Sequence, residues 1–239
     1  MLTPLVGVSV PSIYGNSKPL PSRMARTTPD FSIALDKLKT RLPDLRWSDL
    51  FRSYAMQKQA HEDYVTGRKK AFSPPPGGSF HEAGRAMDID LATIGMTLKA
   101  FWDVVKPLGL VPIVAEPNNK LSEAWHFDCR GSHQLVYDYV TGGKVQSTYS
   151  PYAQAARSAI LAIGQPVDDV PDQDIAIIQS ALIRLGFDPG PIDGVAGLRT
   201  KVAAKAAGVT MDNADVKLAD RVQARFPAEF LQLLAGPGN

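Results

Sequence analysis

Two short stretches of this chain alternate apolar and polar residues with a period of two, and each carries metal-type side chains on its polar side. In Arg85-Ala-Met-Asp-Ile-Asp-Leu91, residues Met87, Ile89 and Leu91 share one face, and Ala86, Asp88 and Asp90 share the other. In Trp125-His-Phe-Asp-Cys129, residues Trp125, Phe127 and Cys129 face a core, while His126 and Asp128 point away from it. Successive side chains of a strand alternate between its faces, so both stretches read as strands. Placed side by side in one antiparallel sheet, they bring Asp88 and His126 together without special geometry.

Two further residues extend this cluster. His81 precedes Asp88 by seven positions, and Glu123 precedes His126 by three. Two histidines and a carboxylate form the ligand set of a catalytic zinc site, which keeps its remaining position for water. The pKa of that water falls towards about 7, and a carboxylate outside the ligand set takes its proton. On residue type and face the candidate ligands are His81, His126 and either Asp88 or Asp90, with Glu123 as candidate base. His61 and His133 match nothing in this arrangement: the first falls in a predicted helix, the second in a predicted loop after Arg130-Gly-Ser.

The flanking sequence supplies support. Residues 1–30 are rich in Pro, Ser and Arg, show no sustained period, and read as an irregular leader. Phe31, Leu35, Leu38 and Leu42 recur at helical spacing and stop at Pro43. Ser53 is placed to cap a second helix over 54–65, closed near Gly67. Residues 71–79 hold three prolines and two glycines and form a loop directly before His81. A third helix is predicted over 97–106, and an Ala-rich one over 151–163, followed by an acidic, proline-containing linker from Gln165. From Asp174 a smaller unit begins, with a helix closed by Gly186, a second helix near 198–207, and a last helix or helix pair over 213–234 interrupted by Pro227. The fold class expected is α+β, a small antiparallel sheet with flanking helices plus a C-terminal three-helix bundle.

Composition narrows the functional classes. The net charge is only +2, divided as +4 over residues 1–150 and −2 over 151–239, and no nucleic-acid motif appears. Cys129 is the single cysteine, which excludes an intrachain disulfide and any Cys-based zinc motif; it is expected to be a small buried residue. No run approaches the length of a membrane span. The N-terminus has no basic n-region and is broken by Pro4, so it does not read as a secretory signal.

Taken together, Ser79-x-His81-x-x-Gly84-x-Ala86-x-Asp88 and Glu123-x-Trp125-His126 resemble the signature of the D-alanyl-D-alanine carboxypeptidase family of zinc peptidases. That family includes vancomycin-resistance D,D-peptidases and many bacteriophage endolysins. The resemblance implies one Zn2+ on His81, Asp88 and His126, with Glu123 as base, and so selects Asp88 over Asp90. It also implies a hedgehog/D,D-peptidase-like α+β fold. Upstream, Arg52-Ser-Tyr-Ala-Met-Gln57 is similar to the Arg-Ser-Tyr-x-x-Gln run of the family, although Phe51 stands where Gly-Tyr is common. A fixed guanidinium beside the metal would hold the scissile carbonyl oxygen or a substrate carboxylate. Gln57, Ser79 and Trp125 are the substrate-binding positions the resemblance implies.

The stretch from Ile177 to Thr200 is similar to the three-helix peptidoglycan-binding domain: a helix ending Leu-Gly-Phe, then Gly-x-Ile-Asp-Gly-x-x-Gly and a helix carrying Thr. It implies wall-binding positions at Phe187, Asp193, Gly194 and Thr200, while Ala196 replaces a usual aromatic. The implied organisation is a zinc peptidase domain over 1–150, a helix and linker over 151–171, and a wall-binding domain over 172–239. The implied activity is amide hydrolysis in the peptide stem or cross-link of bacterial peptidoglycan, as an endopeptidase at a bond such as L-Ala–D-Glu. The alternatives are a D,D-carboxypeptidase trimming terminal D-Ala, and a catalytically inactive wall-binding protein. As in phage endolysins, a monomer would wait in the host cytoplasm and reach its peptidoglycan partner through a holin-type pore, without binding nucleic acid or membrane.

Overall fold

The N-terminal stretch that lacks a sequence period is nevertheless built into the core. The computed structural model describes residues 3–15 and 18–227. Within them, strand β1 (Val6–Gly7) pairs antiparallel with β2 (Arg26–Thr27). Val10, Leu20, Met24 and Ala25 are buried in the main hydrophobic cluster. An irregular leader is therefore only half the description: its backbone is irregular, but its apolar side chains are core.

Helix α1 (Pro29–Arg41) starts with Pro29 in its first turn, has Asp30 beside it, and ends with Lys39 and Arg41. This order suits the missing proline donor and the helix dipole. Its Phe31, Leu35 and Leu38 are fully buried, and truncating one such side chain to Ala costs about 2–5 kcal/mol. Strand β3 (Trp47–Asp49) follows, then α2 (Tyr54–Val65), where the Ser53 hydroxyl accepts the Met56 N–H as its N-cap. Strand β4 (Ala86–Ile89), α3 (Leu98–Val105), β5 (Leu110–Pro112) and β6 (His126–Cys129) complete this half.

The four strands β3, β4, β6 and β5 form one antiparallel sheet in that order. Asp88 of β4 stands opposite His126 of β6, and Ala86 opposite Asp128. The two alternating stretches are thus neighbours, as expected. Phe127 and Cys129 face the core, but Trp125 does not: it lies before β6, half-buried, at the edge of an open groove. Strand alternation assigns faces only while the chain stays in the sheet, and Trp125 precedes it.

The chain divides into two units at Arg130/Gly131, one spanning Pro4–Arg130 and the other joining Thr3 to residues from 131 onward. The expected border at 150 falls inside the second unit, which begins with α4 (Gln134–Thr141), a helix absent from the sequence reading. Helix α5 (Pro151–Ala162) follows, capped by Ser150. Helices α6 (Gln173–Arg184), α7 (Leu198–Ala206) and α8 (Ala214–Arg225) share a second core of Ile178, Leu182, Ala203, Ala204, Leu218 and Val222. Asp172 caps α6 at Ile175 N, and Gly186, at φ 94°, closes it. The expected continuation of the last helix to 234 lies outside the described residues. Among the described residues no helix is long and apolar enough to cross a membrane.

Candidate metal centre

The loop before His81 is tied down at both ends. Glu82 accepts the backbone N–H groups of Gly77 and Ser79, at 3.0 and 3.2 Å, while the Ser79 hydroxyl accepts the His81 N–H. This reciprocal cap holds the short helical turn Phe80–Ala83 that carries His81. Burial pushes the Glu82 carboxyl up to about 7, against those backbone donors. Gly84 closes the turn at φ 60°, and a Cβ there would meet Leu5 Cδ2 at 2.7 Å. Two demands, a left-handed backbone and close packing, thus fall on one glycine.

His81, Asp88 and His126 converge. His81 Nε2 lies 3.3 Å from Asp88 Oδ1 and 3.2 Å from His126 Nδ1, and the last two atoms are 2.9 Å apart. All three residues are buried. The far nitrogen of each ring is spoken for: His81 Nδ1 lies 3.2 Å from the Leu50 carbonyl oxygen, and His126 Nε2 lies 2.8 Å from Asp128 Oδ1. Those acceptors assign the ring protons to the far nitrogens, which leaves a lone pair on each near one. Three acceptor atoms then face one another, an arrangement that a shared proton or a metal cation relieves. Ligands at about 2.0–2.1 Å around a tetrahedral ion stand about 3.3 Å apart, which is close to the spacing here. The donor set therefore fits a divalent metal, and zinc by type: two imidazoles and a carboxylate.

The electrostatics agree. Burial by itself would raise the Asp88 carboxyl, but His81 and His126 outweigh it and hold it well below the usual range. Burial would lower His126, yet Asp128 and Asp88 push its imidazole up to about 10. The field that favours a proton on His126 equally favours a metal cation in its place.

Arg52 stands behind the cluster. Its Nε donates to Asp49 Oδ2 at 2.5 Å, its Nη2 to Asp88 Oδ2 at 3.1 Å, and its Nη1 to Gln57 Oε1 at 3.3 Å. Three of five guanidinium N–H groups are thereby engaged, leaving one on each Nη. Glu123 has a left-handed backbone, φ 66°, the only non-glycine residue among those described with positive φ. Its Oε1 is buried without a hydrogen-bond partner. Burial first, and the Asp88 charge second, raise its carboxyl above the ordinary value. A left-handed backbone holding a carboxylate with one unpartnered, buried oxygen is costly for folding, by roughly 1–3 kcal/mol for the backbone alone.

The substrate positions sort differently. Gln57 is fully buried, its amide donating to the Ser73 hydroxyl and the Pro74 carbonyl. It links the proline-rich loop to Arg52, with both of its amide N–H groups engaged. Ser79 is 3% exposed and caps the His81 turn. Trp125 alone of the three reaches an open surface. Asp90, the rival ligand, caps the turn Leu91–Thr93 through Ala92 N and stands outside the cluster. His61 Nδ1 lies 2.8 Å from the Ser73 carbonyl oxygen, and His133 is buried at the start of α4 rather than in a free loop. The sequence reading assigned no role to Asp128, although it placed Asp128 on the His126 face.

In the second unit, the buried Gln179 organises the turn-rich loop. Its Oε1 accepts the N–H groups of Asp193 and Gly194, and its Nε2 donates to Asp193 Oδ1 and Thr200 Oγ1. Thr200 is 1% exposed and Phe187 packs on the second core. Gly194 is buried. These positions shape the loop; Gly194 and Thr200 do not present a surface to a polymer. The exposed apolar side chains nearby are Val195, Leu198 and Val202.

No family model matches the chain, and no curated protein matches it. Among solved structures, it is similar to the LdcB LD-carboxypeptidase, a structure described as revealing the molecular basis of peptidoglycan recognition. The likeness has a TM-score of 0.40 at 19% identity, over 52% of this chain and 66% of that one. The chain thus spans just under two thirds of the length of that structure.

Proposed function

We propose that this chain is a zinc-dependent peptidase of bacterial peptidoglycan, acting as an endopeptidase in the peptide stem at a bond such as L-Ala–D-Glu. The observation that carries the proposal is the convergence of three lone-pair donors at ligand spacing beside a carboxyl with no hydrogen-bond partner on Oε1. His81, Asp88 and His126 would hold the ion. When bound, a divalent ion polarises the scissile carbonyl and makes water acidic enough to lose a proton near neutral pH. Glu123, whose carboxyl is raised by burial, takes that proton and returns it to the leaving amine. Arg52 orients Asp88 and keeps two N–H groups for a substrate oxygen.

The second unit is proposed to tether the enzyme to its insoluble substrate, which raises local concentration without new chemistry. Its exposed Val195, Leu198 and Val202 are the surface such a tether would use. Release from a phage-infected host through a pore is the setting this combination suits.

The test is digestion of purified wall with and without chelator, with the new termini identified by mass spectrometry. Expected are new stem-peptide termini that vanish on chelation and return with Zn2+. Release of D-Ala alone would mark a D,D-carboxypeptidase instead. Stoichiometric zinc without any new terminus would mark an inactive wall-binding protein and sink the peptidase reading.

A further inference from the structure

Asp90 stands just past the end of β4, where it caps the turn Leu91–Thr93, and the metal centre does not use it. Its Oδ1 accepts the Ala92 N–H at 3.0 Å. Its Oδ2 has no partner among the described residues, and no Lys or Arg there pairs with it; the neighbouring Arg46 sends its guanidinium to the Ser12 carbonyl instead. Asp90 lines an open groove with Ile13, Ser48, Ile89, Leu91 and Trp125.

The groove owes one wall to the N-terminal stretch. Ile13 is 46% exposed, its backbone N–H donating to the Trp47 carbonyl at 3.2 Å. The next residue, Tyr14, donates its hydroxyl to the Ser48 carbonyl at 2.8 Å. Ser48 directly precedes Asp49, which is opposite Asp88 in the sheet. Asp90 lies two residues beyond Asp88, about 7 Å along an extended chain. That is the span of about two residues of an extended substrate.

Apolar walls ending at a single carboxylate suit an alkyl chain tipped with an ammonium. The methylenes lie along Ile13, Leu91 and Trp125 while the head meets the charge, and an indole face adds attraction for a cation. We infer that this groove is a specificity subsite for a cationic aliphatic residue of the substrate peptide, with Asp90 as the selecting charge. In wall peptides that chemistry is the lysine side chain. The inference rests on the peptidase reading of the adjacent metal centre.

The experiment uses the full zinc-loaded chain and two stem peptides, one with a free lysine ε-amine and one with it acetylated. Binding is followed by calorimetry and cleavage by mass spectrometry. Acetylation is expected to weaken binding, and to lower kcat/KM, by about three- to tenfold in the wild type. Asp90→Asn should erase that difference while keeping the turn, because Asn caps as well as Asp. Ile13→Ala should raise KM for both peptides and leave kcat alone. Equal affinity of the wild type for the two peptides, or undiminished discrimination in Asp90→Asn, would overturn the subsite. Amine-dependent binding without cleavage of either peptide would sink the peptidase reading and leave the subsite standing.

Discussion

Asp128 has no exposed surface, and its two carboxylate oxygens are divided between His126 Nε2 at 2.8 Å and Arg130 Nε at 3.1 Å. A carboxylate on the far nitrogen of a metal-binding imidazole sets its tautomer and raises its basicity. Asp128→Asn should therefore weaken zinc binding about 10–100-fold, as read by competition with a chromophoric chelator. An unchanged zinc affinity would reduce Asp128 to a packing role. Glu123→Gln should hold zinc as the wild type does and lose about 10²–10⁴ in turnover; full turnover would refute it as base. Alternation put His126 and Asp128 on one face, so their meeting was legible. The role of Asp128 was not, because a polar residue on a strand face is ordinarily solvated. Gln57 and Ser79 show the converse: their places in a motif were legible, but the direction of each side chain, inward to a loop and a cap, depends on neighbours far along the chain.

At the scale of elements, Arg85 fastens α1 to β4. It is 2% exposed, and donates to both oxygens of Asp30, at 2.9 and 2.6 Å, and to the Cys129 carbonyl at 2.7 Å. Burial would raise the Asp30 carboxyl, but the Arg85 charge and hydrogen bonds outweigh it and hold it below its usual value. A depressed carboxyl contributes stability that is present above the unfolded pKa and lost as pH falls through the folded one. Asp30→Asn should cost about 3–5 kcal/mol near neutrality and flatten the acid limb of stability against pH, both measured by denaturant unfolding. In the second unit, Gly194 has φ 72°, and a Cβ would meet Val170 Cγ1 at 2.5 Å and the Asp172 carbonyl oxygen at 2.7 Å. Gly194→Ala should destabilise by about 1–3 kcal/mol without altering zinc affinity. The helices with capping residues were legible to within a residue or two. Strands β3 and β5, three residues each, were not, since so short a run shows no period.

For the whole molecule, metal and stability are linked through the Pro4–Arg130 unit, which contains the entire donor set. Zinc at a hundredfold over its dissociation constant should stabilise that unit by about 2.7 kcal/mol, and a chelator should remove the gain. Calorimetry with and without chelator checks this; an unchanged transition would mean that no metal binds the folded state. The border between units lies at Arg130/Gly131 rather than in the proline-containing linker. Linker composition marks where a chain is free of regular structure, whereas a unit border is set by which helices pack together.

Local features could be read from the residues alone: which residues alternate, which cap, which glycines must turn, and which side chains offer lone pairs to a metal. Each depends on neighbours within a few positions and on side-chain chemistry. Long-range packing, by contrast, set the register that puts Asp88 opposite His126, the closure of the His81 turn over them, and the groove that Asp90 shares with the N-terminal stretch. Those relations join residues tens of positions apart. Packing and hydrogen-bond geometry settle them, and no local pattern encodes either.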